Sequence, residues 1–398
     1  MAATEFAPIN PHVLAWAREE GGWLPVQVAQ SLHVKPERVA AWESGDRKPT
    51  VRQVENLARF LHRPLSIFFL PSPPELPPLA TEYRRLPGVK AGAESPQLRL
   101  ALRQMLNRRE YALNLYEELG EAIPAFDAVA HLSESAASVG ERLRVRLGVA
   151  IEQQVAWTSE WQAWRAWRAA VEAAGVLVFQ FNKVSLEETR GLTLLDTPLP
   201  VVGINSKERV PEAKAFTLLH EVVHLMLAAG NEERPAIQER RSNEQWAEVE
   251  RFAESAASHA LVSEAALRRL VGEPGANDGA WSTQEVRRLA RRFWITSLAM
   301  ATRLRESGFM SWHRYNEWRG EWNAYVANLP VRAGGIATPA EKAMNRHGRP
   351  FVQLVLEAMS ANRITSVDAA RYLELKFQHF DQLRELVSGP GTGGAANG

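Results

Sequence analysis

The sequence predicts an α+β protein that is mostly helical, with one small sheet near the middle of the chain. Three observations carry this. Apolar residues recur at helical spacing through most of the length. Three short runs rich in Val, Leu and Ile cluster between residues 175 and 205. Five prolines in the eight residues 71–78 divide an N-terminal helical segment from the rest.

The elements follow in order. Residues 11–70 read as a compact helical unit of four to five helices: 13–20, 26–33, 35–43, 51–61, and a short apolar segment at 64–70. Pro36 is tolerated in the first turn of the third helix, and Gly45 supplies the left-handed stop after it. The proline run makes 71–79 a stiff, extended linker. Residues 97–120 form a helix bearing Arg99, Arg103, Arg108 and Arg109. Trp157, Trp161, Trp164 and Trp167 make a helical stripe that reads as core. Strands are expected at 175–181, 191–195 and 200–205, a buried helix around 216–226, a polar loop over 227–245, and helices at 246–270 and 284–307. Residues 80–310 are read as one domain and 311–387 as a C-terminal helical region, including 340–360 and 366–387. The Gly-rich stretch 388–398 is read as a disordered tail.

Composition narrows the class. A chain of 398 residues exceeds one typical core, so two or three domains are expected. Hydrophobic residues are 45% and charged residues 23%, ordinary for a globular protein. With 47 Lys+Arg against 46 Asp+Glu, whole-chain charge points to no partner. The absence of Cys excludes disulfides and thiolate metal sites and fits a reducing cytoplasm. Residues 1–10 lack the basic and apolar regions of a signal peptide, and no apolar run approaches a membrane span. A cytoplasmic protein without membrane contact is the expectation.

The chemistry concentrates at 220–224, which reads H-E-x-x-H. On a helix, residues i and i+4 share a face, so neutral His220 and His224 can hold one ion. Glu221 then stands beside the open coordination position, placed to act as general base on a water. A zinc hydrolase usually takes three protein ligands. None of the remaining histidines falls at the short H-x-x-G-x-x-H spacing, so a carboxylate is the better third candidate. The next helix offers Glu248, Glu250 and Glu254. At about 100° per residue, Glu250 falls in the apolar stripe with Ala253 and Ala257, while Glu248 points away. Glu254, one turn on, stays a rival. His259 on the same helix is a candidate oxyanion stabiliser. The ligand types favour Zn2+, one per chain, over Mn2+ or Fe2+.

Several of these segments, in this order, resemble the ImmA/IrrE family of metallopeptidases. They are RLRVRLG at 142–148, WRAWR at 164–168, GVLVF at 175–179, HEVVH at 220–224 and ERFAESAA at 250–257. The resemblance covers roughly 80–310. It implies a zincin-like domain with a small sheet, a gluzincin-like H-E-x-x-H…E ligand set with Glu250 as third ligand, and zinc-dependent endopeptidase activity. The sequence departs from the family at Glu254, where Asn is usual, at Ala256, where Phe is common, and at Ser263, where Pro often closes the helix.

The N-terminal unit resembles the lambda-repressor-like (XRE type) helix-turn-helix family. The residues that carry this are VAQSLHV at 28–34, AWESG at 41–45, Pro49 and LARFL at 57–61. The resemblance implies that the third helix enters the major groove of double-stranded DNA, presenting Lys35, Glu37 and Arg38, and Lys35, Arg38, Arg47, Lys48 and Arg52 are candidates to meet phosphates or guanine edges. Residues 11–70 hold eight Lys/Arg against six Asp/Glu, a weakly basic balance. The family's usual Gln near the start of the second helix is Val26 here. A second basic stretch, 285–305, has six Arg against one acid, with a helix-turn-helix-like core at 289–297. Its arginines suit nucleic acid, or a solvated face lying over tryptophans.

The expected function is a regulatory zinc metalloendopeptidase fused to a DNA-binding domain. By resemblance, such peptidases act on transcriptional repressors under stress or on antitoxin-like proteins, so the substrate expected is a repressor of helix-turn-helix type. The rival from another class is a helix-turn-helix transcription regulator whose peptidase-like domain serves as a sensor or interaction module.

Overall fold

Proline opens helix after helix in this chain, at the one helical position where its missing N–H is no loss. In the computed structural model, which describes residues 5–84, 86–273, 281–327 and 337–389, Pro11, Pro25 and Pro36 stand in the first turns of α1 (Pro11–Glu20), α2 (Pro25–Leu32) and α3 (Pro36–Glu43). Thr50 and Gln53 close a capping box at the start of α4 (Val51–Phe60), and a 3-10 segment, Leu65–Phe69, follows. Val28, Val39, Trp42, Val54, Leu57 and Phe68 form the core of these elements.

Two compact units emerge: Met1–Thr81 with Pro87–Gln104, and Glu82–Leu86 with Met105–Gly398. After α5 (Pro96–Leu119) the second unit runs through α6 (Ala136–Arg146), α7 (Ile151–Val155) and α8 (Glu160–Ala173). The sheet follows as β1 (Leu177–Phe181), β2 (Gly191–Leu194) and β3 (Val201–Asn205). Then come α9 (Pro211–Ala229), α10 (Asn243–Leu261), α11 (Glu264–Val271), α12 (Thr283–Phe293), α13 (Ser297–Glu306) and α14 (Trp312–Ala327). Four more helices complete the described chain: α15 (Pro339–His347), α16 (Arg349–Ser360), α17 (Ser366–Tyr372) and α18 (Phe380–Ser388). No helix among the described residues is long and apolar enough to cross a membrane. Most of the stretch expected as a disordered tail, 390–398, lies outside the described residues.

The mostly helical α+β expectation holds, and the three strands lie where they were expected. The helices are more broken than periodicity suggested. The segment 246–270 is two helices, because Val262 is extended and Ser263 caps a new start, its side chain accepting from the Ala266 N–H. The segment 284–307 breaks at Trp294, which takes the left-handed conformation without being Gly. Residues 340–360 break at Gly348, and 366–387 at Leu373. Three of the four tryptophans in the stripe are core, but Trp161 is exposed. Arg108, one of the four arginines noted on the helix at 97–120, is buried and paired with Glu374.

The sheet order is β1-β3-β2, with β1 parallel and β2 antiparallel to β3, and all strand residues buried. β2 is therefore an outer strand. Residues 82–84 lie along it, with Tyr83 opposite Leu194. The Arg84 N–H donates to the Thr193 carbonyl at 3.3 Å and the Leu195 N–H to the Glu82 carbonyl at 3.4 Å. On its other side this segment accepts from the Ala236 N–H through the Tyr83 carbonyl, at 2.7 Å.

One further feature positions the site. A Cβ at Gly140 would stand 2.3 Å from the Ala256 carbonyl oxygen, so α6 and α10 touch backbone to backbone. Among the described residues the same helix corner recurs at His33, His62, Trp294, Asn362 and Glu374. Each takes φ near +50°, and the next residue's N–H donates back to the carbonyl of Ala29, Ala58, Ala290, Ala358 or Ala370. Five residues beyond the second residue of four of these corners stands a buried Val39, Phe68, Met300 or Phe380.

Candidate metal centre

α9 is apolar on nearly every side, and its buried residues include Leu218, Leu219, Val222, Val223 and Met226. That burial fixes its rotation. His224 is sealed in the interior, while His220 is slightly open. Their Nε2 atoms lie 3.1 Å apart. α10 runs beside α9 and directs Glu250 at the same point. Its Oε2 is 3.3 Å from His220 Nε2, and its Oε1 is 3.7 Å from His224 Nε2. For ligands at zinc distances on a tetrahedron, neighbouring donor atoms are about 3.3 Å apart. The two imidazoles and the carboxylate already stand near that spacing. Among the described residues, His220, His224 and Glu250 are the group whose donor atoms converge, all within 4.8 Å. This donor set fits a zinc ion. Glu248 and Glu254, the other acids weighed on this helix, are exposed. His259 Nδ1–H donates to the Ser255 carbonyl of its own helix, 2.8 Å away, and burial pushes its pKa down.

The surrounding shell was not readable from motifs. Glu233, in the segment expected as a polar loop, is buried and bonds His224 Nδ1. That contact leaves Nε2 as the nitrogen facing Glu250. Phe216 stacks on the His220 ring and Trp246 on the His224 ring, with interplanar angles of 20° and 15°. The only signal for Glu233 was an acid soon after the second His.

Glu221 is buried and engaged on both oxygens. Arg84 Nη2 donates to its Oε1 at 3.1 Å and Nε to its Oε2 at 3.2 Å. The Thr193 hydroxyl donates to Oε2 at 2.6 Å. Arg84 also donates from Nη1 to Glu250 Oε1 at 2.9 Å. One guanidinium thus joins the expected base to the expected third ligand. Burial pushes both carboxyls up, but the Arg84 charge and the two imidazoles outweigh it and hold both low. Gly191 explains how β2 comes so near: a Cβ there would stand 2.6 Å from Thr217 Cγ2 and 2.9 Å from Glu221 Cγ.

This geometry coincides with a known pattern. Residues 171–305 match the family model described as the IrrE N-terminal-like domain, a peptidase M78 model. The chain carries an IrrE N-terminal-like domain. Residues 14–68 match the model described as helix-turn-helix. The M78 match takes in the sheet, α9, α10 and the corner at Trp294. No curated protein matches the chain.

In the helix-turn-helix domain, Lys35 is the N-cap of α3, and Lys35, Glu37 and Arg38 are all exposed. Arg47 and Lys48 are exposed in the loop that follows. The 285–305 stretch divides differently. Arg303 is buried and paired with Glu264. Arg305 lies over Trp312 and Tyr315, and Arg287 over Tyr325. Arg288, Arg291 and Arg292 are the ones left exposed.

Proposed function

We propose that the chain is a regulatory zinc metalloendopeptidase joined to a DNA-binding domain, and that its substrate is a protein of the repressor or antitoxin kind. One observation carries the reading: His220, His224 and Glu250 converge at ligand spacing with Glu221 on the same helix, inside an M78 peptidase domain. His220, His224 and Glu250 would hold Zn2+, the ion that this N/O donor set suits better than Mn2+ or Fe2+. A bound divalent ion polarises a carbonyl and lowers the pKa of an attacking water. Glu221 takes the proton of that water and passes it to the leaving amine. Glu233 orients His224, and Thr193 holds Glu221. Lys35, Glu37, Arg38, Arg47 and Lys48 face duplex DNA through α3 and its following loop.

One observation favours the rival reading, a transcription regulator with a sensor-like peptidase fold: the base is tied to Arg84 on both oxygens. A single experiment separates the two. The zinc-loaded protein is incubated with candidate repressors encoded by its own genome, beside Glu221→Gln and His220→Ala/His224→Ala. The peptidase reading expects cleavage by the wild type, zinc without cleavage in Glu221→Gln, and loss of zinc in the double variant. Zinc at full occupancy in the double variant would remove the metal assignment. Cleavage by Glu221→Gln at the wild-type rate would remove the base.

A further inference from the structure

An outer strand leaves one row of backbone N–H and C=O groups to be satisfied, and an extended peptide can pair there as an added strand. β2 is that strand, and it runs past Glu221 through Thr193 and Gly191. The edge is taken by the chain itself. Residues 82–84 pair antiparallel with β2, and Tyr83 is buried against it. From this segment Arg84 reaches inward to Glu221 and Glu250. A polypeptide offered to Glu221 along the same edge would need the backbone positions of 82–84 and the space of the Arg84 guanidinium.

We propose that residues 82–84 are an intramolecular strap that occupies the peptide-binding edge of β2 and holds the site closed, with Arg84 as its pin. This rests on the peptidase reading and adds its regulation. Substrate gains the edge when the strap leaves, and Glu221 then exchanges Arg84 for the attacking water. The pin is strong because it is reciprocal. A guanidinium 1% exposed is tolerable only while paired, and its departure strands the buried Glu221 carboxylate and leaves the partly buried Glu250 without its partner. Three backbone hydrogen bonds add to it. The chain on either side, 1–81 and 87–104, belongs to the N-terminal unit, so both ends of the strap are covalently continuous with the unit that carries the helix-turn-helix. The substrate class that follows is an extended, unfolded segment able to add as a strand, rather than a folded loop.

Two measurements on the full, zinc-loaded chain test this. Hydrogen exchange should show the amides of Arg84, Leu195 and Ala236 opening locally, with protection at least about tenfold below that of the β3 amides. Equal protection would mean that 82–84 leaves only on global unfolding, and the strap would be a structural strand. The second measurement uses a fluorescein-labelled nonapeptide with the sequence of residues 80–88. Arg84→Gln, with zinc content unchanged, should bind it about tenfold or more tightly than the wild type, whose own strap competes at high effective concentration. Equal binding by both proteins, or none by either, overturns the proposal. If Arg84→Gln does not fold, hydrogen exchange on the wild type decides alone. Neither measurement needs turnover. A failed strap therefore leaves the peptidase reading standing, and a peptidase reading lost to Glu221→Gln leaves the strap result legible.

Discussion

His224 turns Nδ1 to the carboxylate of Glu233, and both side chains are closed off from solvent. An imidazole anchored at one nitrogen can offer only the other. Carboxylates in this position typically raise metal affinity about 10- to 100-fold. Glu233→Ala should therefore lower zinc affinity by a factor in that range, read by competition with a fluorescent chelator. Unchanged affinity would mean that the ring is oriented by its stacking on Trp246 instead.

Gly191 tests the base from the opposite side. Alanine there would push a methyl into Thr217 and Glu221. Gly191→Ala should lower kcat/KM by about tenfold or more, the scale on which small misplacements act, while zinc content is kept. Full turnover in that variant would show that Glu221 tolerates displacement.

His347, which is not one of the residues of the metal centre, gives a stability prediction. Its ring is buried at the end of α15, and its Nε2 lies 2.9 Å from the Leu373 carbonyl. Burial, and then the charges of Arg108 and Arg346, hold its pKa well below the ordinary value. The unfolded chain therefore binds a proton that the folded chain refuses. Stability is fully present above the unfolded pKa and falls as pH drops below it, by up to about 1.4 kcal/mol per pH unit for this group. Urea unfolding between pH 7 and pH 5 should show that slope, and His347→Gln should flatten it. An unaltered slope would place the acid sensitivity elsewhere.

For nucleic acid, Lys35→Glu/Arg38→Glu should weaken duplex binding by about 1–3 kcal/mol and reduce its salt dependence, because phosphate contacts release counterions. Arg288→Glu/Arg291→Glu/Arg292→Glu serves as the comparison in the same titration. Loss in that triple variant alone would move the interface from α3 to α12.

What could be read beforehand was what lies close in sequence. The pair His220 and His224 is a matter of helical spacing, and the apolar stripe of α10 favoured Glu250 while leaving Glu254 open, until the donor atoms of His220, His224 and Glu250 were seen to converge. The N-terminal helices were legible from their apolar spacing, from Pro36 and from Gly45, while the starts of the first two at Pro11 and Pro25 were placed a residue or two late. The rest of the centre is tertiary. Arg84 stands 137 residues before Glu221 and belongs to no motif, and Thr193 is one hydroxyl on an apolar strand. Charge at a buried site is visible in sequence only when its partner is known, and here the partners lie on different elements. The helix breaks at Val262 and Trp294 escaped for a different reason. Neither residue is a breaker by type: Val262 gives way to the Ser263 cap and accepts from the buried Arg303 at its carbonyl, and Trp294 takes the left-handed conformation in a sequence with no Gly there.

The contact between α6 and α10 has a mechanical consequence. Where Gly140 meets Ala256, no layer of side chains lies between the two helices to absorb a shift by changing rotamer. α10 therefore cannot roll about its axis without carrying α6 with it. A one-residue roll would swing Glu250 by about 100° and bring Arg251 toward the imidazoles. Gly140 acts as a keyway, setting which face of α10 the histidines meet, from a position that touches none of them.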